Sequence, residues 1–434
     1  MKVIKFGSSA VATAQKIKAS AQIVASHKGE NNIIVVSSVS GTTDCLIEIA
    51  DYLYKKNHDG AKELINNLER SYLNLAAELF NNKDQKSNAE KAIANRFDEV
   101  RNLSQDIFTL FEEKRIVAQG ELLIVELFTE YLRTLGLEVK NIPALSVMRI
   151  DKNEEPDTVA IKKNLENQLE ILGKADVYIT EGFICKNAYN EIDNLKKGGS
   201  DYTASLIGAA LHADEIQIWS DRVAISKIDN CNEPVERLNF EEAAELAYFS
   251  AKALHPVCLT PAKLENIPVR LINANKPEEA GTLISTAYTP NHIEVIAAKD
   301  GITSIRIKSS RMLFAHGFLR RVFEVFEQYK TSIDMITTSE IGVNVTIDNE
   351  KNLDEIVDDL KKFGTVTTSR NMSIICAVGD LTDQHIGVHT QIIEALSEVP
   401  ITMISYGASA HNISFLIHTA DKEKAMEGLK KKFF

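Results

Sequence analysis

No stretch of the 434 residues approaches the roughly 20 consecutive apolar residues that a membrane-spanning helix needs, which excludes a helical integral membrane protein. The opening Met1-Lys2-Val3-Ile4-Lys5-Phe6-Gly7 reads as a strand running into a turn rather than a signal peptide, so a cytoplasmic location is expected. Cysteine is scarce: Cys45, Cys185, Cys231, Cys258 and Cys376 are odd in number, scattered and free of CxxC spacing. That excludes a disulfide scaffold and points to reduced thiols. Positive charge is in deficit, with 49 Lys and Arg against 61 Asp and Glu, a net charge of -12. Nucleic acid and anionic membrane surfaces are therefore excluded as partners, although a small anionic ligand needs only a few local cations. His385 and His389 stand four apart without acidic or cysteine companions, so no metal site is expected there.

What is present is the composition of a soluble globular protein, 44% hydrophobic and 25% charged, long enough for two or three domains. Short β-branched runs recur, each ending in a small-residue loop that leads into a helix-like stretch. Val3–Phe6 precedes Gly7-Ser8-Ser9, and Ile33–Val36 precedes Ser37-Ser38-Val39-Ser40-Gly41-Thr42-Thr43. Val177–Thr180 precedes Glu181-Gly182, and Ile216–Trp219 precedes Ser220-Asp221. Near-continuous apolar strands alternating with helices predict an α/β fold with a mostly parallel sheet covered on both faces. Ligands in such sheets collect at the carboxyl ends of the strands, where these loops lie. Trp219, the single tryptophan, is expected to serve packing. Residues 60 to 135 predict a helical layer, with Leu64, Leu68, Leu75 and Leu79 on one face and Ile107, Leu110 and Phe111 on another, both read as core.

A composition change near Ala287-Tyr288-Thr289-Pro290-Asn291 suggests a linker. Beyond it lies a weak internal repeat. Gly317-Phe318-Leu319, Ser332–Ile336 and Asn344–Ile347 are echoed by Gly387-Val388, Pro400–Ile404 and Asn412–Phe415. Two copies of one small α+β unit are implied, each with little core of its own. The expected domains are 1–290, 291–370 and 371–434, the last either separate from the second or interleaved with it.

Phosphate binding needs backbone N–H groups at a helix N-terminus, small residues for close approach and one or more cations. Lys5 followed by Gly7-Ser8-Ser9-Ala10 offers that chemistry, although strand–turn–helix packing would use the same residues. Lys196-Lys197-Gly198-Gly199-Ser200-Asp201-Tyr202-Thr203 is sharper, combining two glycines, an N-cap and a lysine pair. A solvated turn with a good cap remains open for it.

Gly198-Gly199-Ser200-Asp201-Tyr202-Thr203 resembles the GGSDYT signature of aspartokinases. Phe240-Glu241-Glu242-Ala243-Ala244-Glu245 and Ala251-Lys252-Ala253-Leu254-His255-Pro256 resemble their FEEAAE and AKxLHP motifs. Gly317-Phe318-Leu319 with Ile336-Thr337-Thr338-Ser339-Glu340 resembles the first of their two ACT regulatory units. The resemblance spans nearly the whole chain in order, and is to the monofunctional, lysine-sensitive type. It implies an amino acid kinase fold followed by two ferredoxin-like ACT units. It also implies ATP, Mg2+ and L-aspartate as reactants, yielding ADP and 4-phospho-L-aspartate at the first step of aspartate-derived amino-acid synthesis.

By matched position, the resemblance implies that Lys5 and Lys252 contact the nucleotide phosphates, with Asp201 beside them as a third catalytic group. Gly7, Ser8, Gly199 and Ser200 would form the cradle, and Ser220 and Asp221 would sit near the nucleotide. Glu121 would receive the substrate ammonium, Lys197 its α-carboxylate, and Ser37 and Thr43 its side-chain carboxylate, with Ser200 adjoining. Departures are visible. The usual KFGGTS is Lys5-Phe6-Gly7-Ser8-Ser9-Ala10, and Lys197 stands where the family has arginine, keeping charge without bidentate geometry. DVPGI is Asp221-Arg222-Val223-Ala224-Ile225, and the basic residue of TDPR has no counterpart around Asp229–Asn232. His255 reads as a structural hydrogen-bonder before Pro256.

In the regulatory region, Met312, Gly317, Phe318, Leu319, Ile333, Asp334, Ser339 and Glu340 match effector-lining positions, with Ala315 replacing a serine. The resemblance implies feedback inhibition by L-lysine, with threonine as the lesser alternative, and a homodimer. Asp334 and Glu340 could also be simple loop caps. A related carboxylate kinase and a non-catalytic amino-acid sensor of the same fold are the competing functions.

Overall fold

The computed structural model describes residues 1–105, 107–195, 198–221, 225–228, 233–249, 255–287, 293–309, 316–381 and 387–434. They form two compact units, one of Met1–Ile225, Glu236–Phe240 and Lys252–Ala287, the other of Ser226–Val235, Glu241–Ala251 and Tyr288–Phe434. The chain thus passes between the units more than once before residue 290.

The first unit is built on strands β1 (Lys2–Phe6), β2 (Asn32–Val36), β3 (Val139–Asn141), β4 (Val177–Glu181), β7 (Glu215–Ser220), β8 (Arg237–Asn239), β9 (Val269–Asn273) and β10 (Thr282–Ser285). A separate hairpin joins β5 (Ile184–Lys186) and β6 (Ile192–Asn194). The main sheet runs β3-β4-β2-β1-β7-β9-β10-β8, and every pair but β9–β10 is parallel. Strands β2 and β4 are buried at every position, which is why they read as unbroken apolar runs. From β1 the chain crosses first to β2 and later to β7 on the opposite side, making the carboxyl end of β1 a topological switch point.

Helices His58–Leu79, Lys83–Leu103 and Leu110–Thr134 form the layer expected over residues 60 to 135, and helix Thr42–Tyr54, before that range, packs against it. Leu79 is buried, and Leu64, Leu68 and Leu75 pack against the core. The second face differs from expectation: Ile107 is 86% and Leu110 61% exposed, and Phe111 is exposed too. Thr109 and Glu112 form a capping box, so Leu110 and Phe111 occupy the first turn, before the helix reaches the core at Ile116. Trp219 is buried, its ring 6.2 Å from that of Phe6.

The second unit is a six-stranded antiparallel sheet of β11 (Val295–Lys308), β12 (Ile336–Ser339), β13 (Gly342–Ile347), β14 (Thr365–Val378), β15 (Ile401–Tyr406) and β16 (Asn412–His418). Its order is β12-β13-β11-β14-β16-β15. The two long central strands each serve both halves. Thr303–Lys308 pairs with β13 and with the start of β14, whereas Val295–Lys299 pairs with the end of β14, which in turn carries β16. The strand segment completing the second half, Val295–Lys299, therefore precedes the first half in the chain. Helices Phe318–Gln328 and Leu353–Leu360 cover a core of Ile305, Ile307, Val343 and Val345. Helices Val388–Ala395 and Lys422–Phe433 cover one of Ile375, Ala377, Phe415 and Ile417.

Among the described residues no disulfide forms: Cys45, Cys185, Cys258 and Cys376 are free thiols, and Cys231 lies outside them. The ring of His389 lies 4.3 Å from that of Tyr406, tilted by 59°; His385 lies outside the described residues, as do Tyr288–Asn291 of the expected linker.

Candidate active site

At the carboxyl end of β1, Lys5 is only 6% exposed, and its Nζ lies 2.5 Å from Asp201 Oδ1. The pair ties the first strand to the N-terminal turn of helix Gly199–Leu211. That helix is entered through Gly198 at φ +77, where a Cβ would also meet Cys258 Sγ at 2.1 Å, so only glycine fits. The Gly7 N–H donates to the Trp219 carbonyl at 2.8 Å, fixing the turn after β1 to β7. Ser8 begins a short 3-10 turn and is exposed.

Ser220 and Asp221 end β7 beside this turn. Ser9 Oγ accepts from the Asp221 N–H at 3.1 Å, and Lys16 Nζ lies 3.5 Å from Asp221 Oδ2. A hydrogen bond from the Ser9 hydroxyl to the Asp221 carboxylate, helped by Lys16, holds that carboxyl below the usual carboxylate range. Sequence reasoning placed Ser9 in the loop without a role and gave no signal for Lys16.

On the opposite side, two hydroxyl pairs line the loop after β2. Ser37 Oγ and Ser200 Oγ share a hydrogen bond of 2.6 Å, and Ser38 Oγ and Thr43 Oγ1 one of 2.8 Å. Thr42 Oγ1 is held by Tyr72 OH at 2.9 Å, so the helical layer supports this loop from behind. Gly120 lets helix Leu110–Thr134 approach closely, because a Cβ there would lie 2.9 Å from Thr42 Cγ2. Its neighbour Glu121 is thereby brought against Ser38.

Glu121 is 3% exposed. Burial pushes its carboxyl up to about 8, against hydrogen bonds from Ser38 and the attraction of Lys5, while the charge of Glu181 adds to the rise. Its Oε2 is buried and accepts no hydrogen bond among the described residues. Glu181, at the end of β4, is also buried and pushed up by burial, and accepts from the Ala144 N–H at 2.7 Å. The adjoining Gly182 packs so closely that a Cβ would lie 2.3 Å from Ser200 Cβ. Sequence reasoning gave no role to Glu181 or Ser38, although both stand at strand ends it singled out.

The structure therefore brings Lys5, Gly7, Ser37, Thr43, Glu121, Gly199, Ser200, Asp201, Ser220 and Asp221 to one edge of the sheet. Lys197 and Lys252 lie outside the described residues. His255 accepts from the Val257 N–H at 3.3 Å and caps the short turn at Pro256, the structural role expected of it. Cations at one end, hydroxyls in the middle and an unsatisfied buried carboxylate at the other suit a ligand carrying both charges. Such a crevice can hold an anion against Lys5 and an ammonium against Glu121.

Among the expected effector residues, Gly317 at φ +79 caps helix Phe318–Gln328, Phe318 is buried and Leu319 is exposed. Ile333 packs on the core beneath that helix. The Asp334 side chain is 2% exposed just before β12, whereas Ser339 and Glu340 are exposed where β12 turns into β13. Met312 lies outside the described residues.

A model of the amino acid kinase family matches residues 1–273, and an ACT domain model matches 375–433. The whole chain is 32% identical to aspartokinase 1, chloroplastic, of Arabidopsis thaliana, spanning 80% of it. It is 29% identical to the lysine-sensitive aspartokinase 3 of Escherichia coli (strain K12), spanning 99% of it. The crystal structure of E. coli aspartokinase III with lysine and aspartate (T-state) matches with a TM-score of 0.85 at 28% identity, covering 100% of this chain and 99% of that one. The same enzyme with aspartate and ADP (R-state) matches at 0.81 and 29% identity, with both chains fully covered. This chain belongs to the amino acid kinase family and, within it, to the aspartokinases.

Proposed function

We propose that the chain transfers the γ-phosphoryl of ATP to the side-chain carboxylate of L-aspartate, giving ADP and 4-phospho-L-aspartate, and that its C-terminal unit binds an amino-acid effector. The observation that carries the substrate reading is Glu121. A buried carboxylate with one oxygen left without a donor costs free energy until a cation meets it. The α-ammonium of aspartate supplies that cation. The hydroxyls of Ser37, Ser38, Thr43 and Ser200 then offer neutral donors to its carboxylates, with Lys197 as the cation for the α-carboxylate.

The attacking carboxylate is already ionised at neutral pH, with an ordinary pKa of about 3.9, so no general base is needed. The work is to bring two anions together and to stabilise charge on a loose phosphoryl transition state. Lys5 is preset for this by Asp201, and Gly7, Ser8 and Gly199 allow the phosphates to approach backbone N–H groups at a helix N-terminus. Lys252 is assigned to the same phosphates, and Ser220 and Asp221 to the nucleotide's rim. Mg2+ would enter on the triphosphate and screen its charge. Asp201 and Asp221, the rim's acidic groups, already face lysines, which suits a metal held mainly by phosphate oxygens.

We assign catalysis to residues 1–290 and regulation to two ACT units, 291–370 and 371–434, the second completed by Val295–Lys299. L-lysine is the effector we favour, and threonine comes second. A homodimer in the cytoplasm completes the reading; among the described residues no helix is long and apolar enough to cross a membrane. A coupled ADP-release assay with aspartate, with glutamate and without acceptor tests the activity. ADP release only with aspartate is expected. Preference for glutamate would make the chain a different carboxylate kinase, and lysine binding without any turnover would make it a sensor.

A further inference from the structure

We propose that Lys299 is a built-in occupant of the effector's ammonium site: its Nζ holds the Asp334 carboxylate in the effector-free chain, and a cationic effector takes that carboxylate over. The inference rests on the reading of Asp334 as an effector residue and adds the group that competes for it.

Lys299 Nζ lies 2.9 Å from Asp348 Oδ2 and 3.4 Å from Asp334 Oδ1. Its firmer contact is with the half-exposed Asp348, and the longer one is with an aspartate whose side chain is almost fully buried. Asp334 Oδ2 is buried and accepts no hydrogen bond among the described residues. Two carboxylates share this ammonium, so Asp334 carries the shortfall. Burial, with Asp348 adding repulsion, pushes the Asp334 carboxyl up to about 7, as expected for a charge that is incompletely offset. The backbone that carries this carboxylate is held in place by two hydrogen bonds. The Asp334 N–H donates to the Thr346 carbonyl at 2.9 Å, and the Met335 N–H to Thr346 Oγ1 at 2.8 Å. An open oxygen on a buried carboxylate selects a compact N–H cation, the side-chain ammonium of a basic amino acid.

Position gives the exchange a consequence. Lys299 is the last residue of the β11 segment that pairs with the end of β14, immediately before the register break between Lys299 and Ile302. The next residue, Asp300, is anchored by Ser373 Oγ and Lys422 Nζ, each at 2.7 Å. The cation that guards Asp334 is thus delivered from the point where the strand shared by both halves changes partners. Displacing it couples effector occupancy at β12 to the β11–β14 core.

The test is calorimetric binding of L-lysine and of L-norleucine, which lacks the side-chain ammonium, to the full chain and to Lys299→Met, Lys299→Arg and Asp348→Asn, each checked for folding by circular dichroism. Lysine affinity should rise at least tenfold in Lys299→Met and stay near wild type in Lys299→Arg. It should fall severalfold in Asp348→Asn, where Lys299 turns wholly to Asp334. Norleucine should not discriminate among them. Unchanged or weakened lysine binding in Lys299→Met overturns the inference while leaving the effector reading standing, and Asp348→Asn decides it if that variant does not fold. Lysine binding by none of the four proteins removes the effector reading itself, and this inference with it.

Discussion

Replacing Glu121 with glutamine separates what the crevice needs for binding from what it costs the fold. The substitution keeps the side chain's length and a hydrogen-bond partner for Ser38, but removes the ionisable group. Because burial raises the folded-state pKa to about 8, the folded chain holds this proton more tightly than the unfolded chain does. The carboxyl's contribution is therefore most favourable below the unfolded value of about 4.3 and is lost as pH rises from there toward about 8. At pH 7 the unfolded group is ionised and the folded group is not, a penalty of about 4 kcal/mol at ~1.4 kcal/mol per pH unit, growing to about 5 kcal/mol at pH 8. Glu121→Gln should thus be more stable than wild type by that order at pH 7, with the gap closing toward pH 5. Trp219 is the only tryptophan and packs against Phe6, so urea unfolding followed by its fluorescence reads the kinase unit selectively. The same variant should lose at least about a hundredfold in kcat/KM for aspartate, since a charge-assisted partner of the ammonium is gone. A stability gap that does not change with pH, or near-normal use of aspartate, would refute the reasoning.

Three further substitutions probe other parts of the crevice. Lys5→Met leaves the Asp201 carboxylate without its cation, and should cost about 3 kcal/mol by denaturant unfolding and at least about a hundredfold in kcat. Gly182→Ala drives a methyl group toward Ser200, where only 2.3 Å is available, and should cost about 1–3 kcal/mol and raise the KM for aspartate. Ser9→Ala removes the acceptor for the Asp221 N–H. It should raise the KM for ATP about fivefold, the equivalent of one hydrogen bond of ~1 kcal/mol, with the KM for aspartate unchanged.

The parallel sheet was legible because Ile33–Val36 and Val177–Thr180 are buried on both faces, and that burial writes an unbroken apolar run into the sequence. Lys5, Ser37, Glu121 and Ser200 were singled out through motif resemblance; Ser37 meets Ser200, and Glu121 is close enough to feel the charge of Lys5. Their supports were not. Tyr72 reaches Thr42, Glu181 reaches Ala144 and Lys16 reaches Asp221 across sequence separations that no local pattern encodes. Ile107, Leu110 and Phe111 misled because helical spacing cannot tell a first turn in solvent from a turn over the core. The interleaving of the regulatory halves was read only as an option, and the strand that produces it was not identified. A 14-residue strand such as Val295–Lys308 reads as one element whether it serves one partner set or two.

The central claim, that the buried Glu121 carboxylate receives the substrate ammonium, has a direct signature in proton linkage. Titrating aspartate into the full chain in buffers of different ionisation enthalpy counts the protons exchanged on binding. A carboxyl at about 8 that ionises when the ammonium arrives releases about 0.9 proton per aspartate at pH 7 and about 0.5 at pH 8. Binding with no proton release, or with proton uptake, would contradict the account.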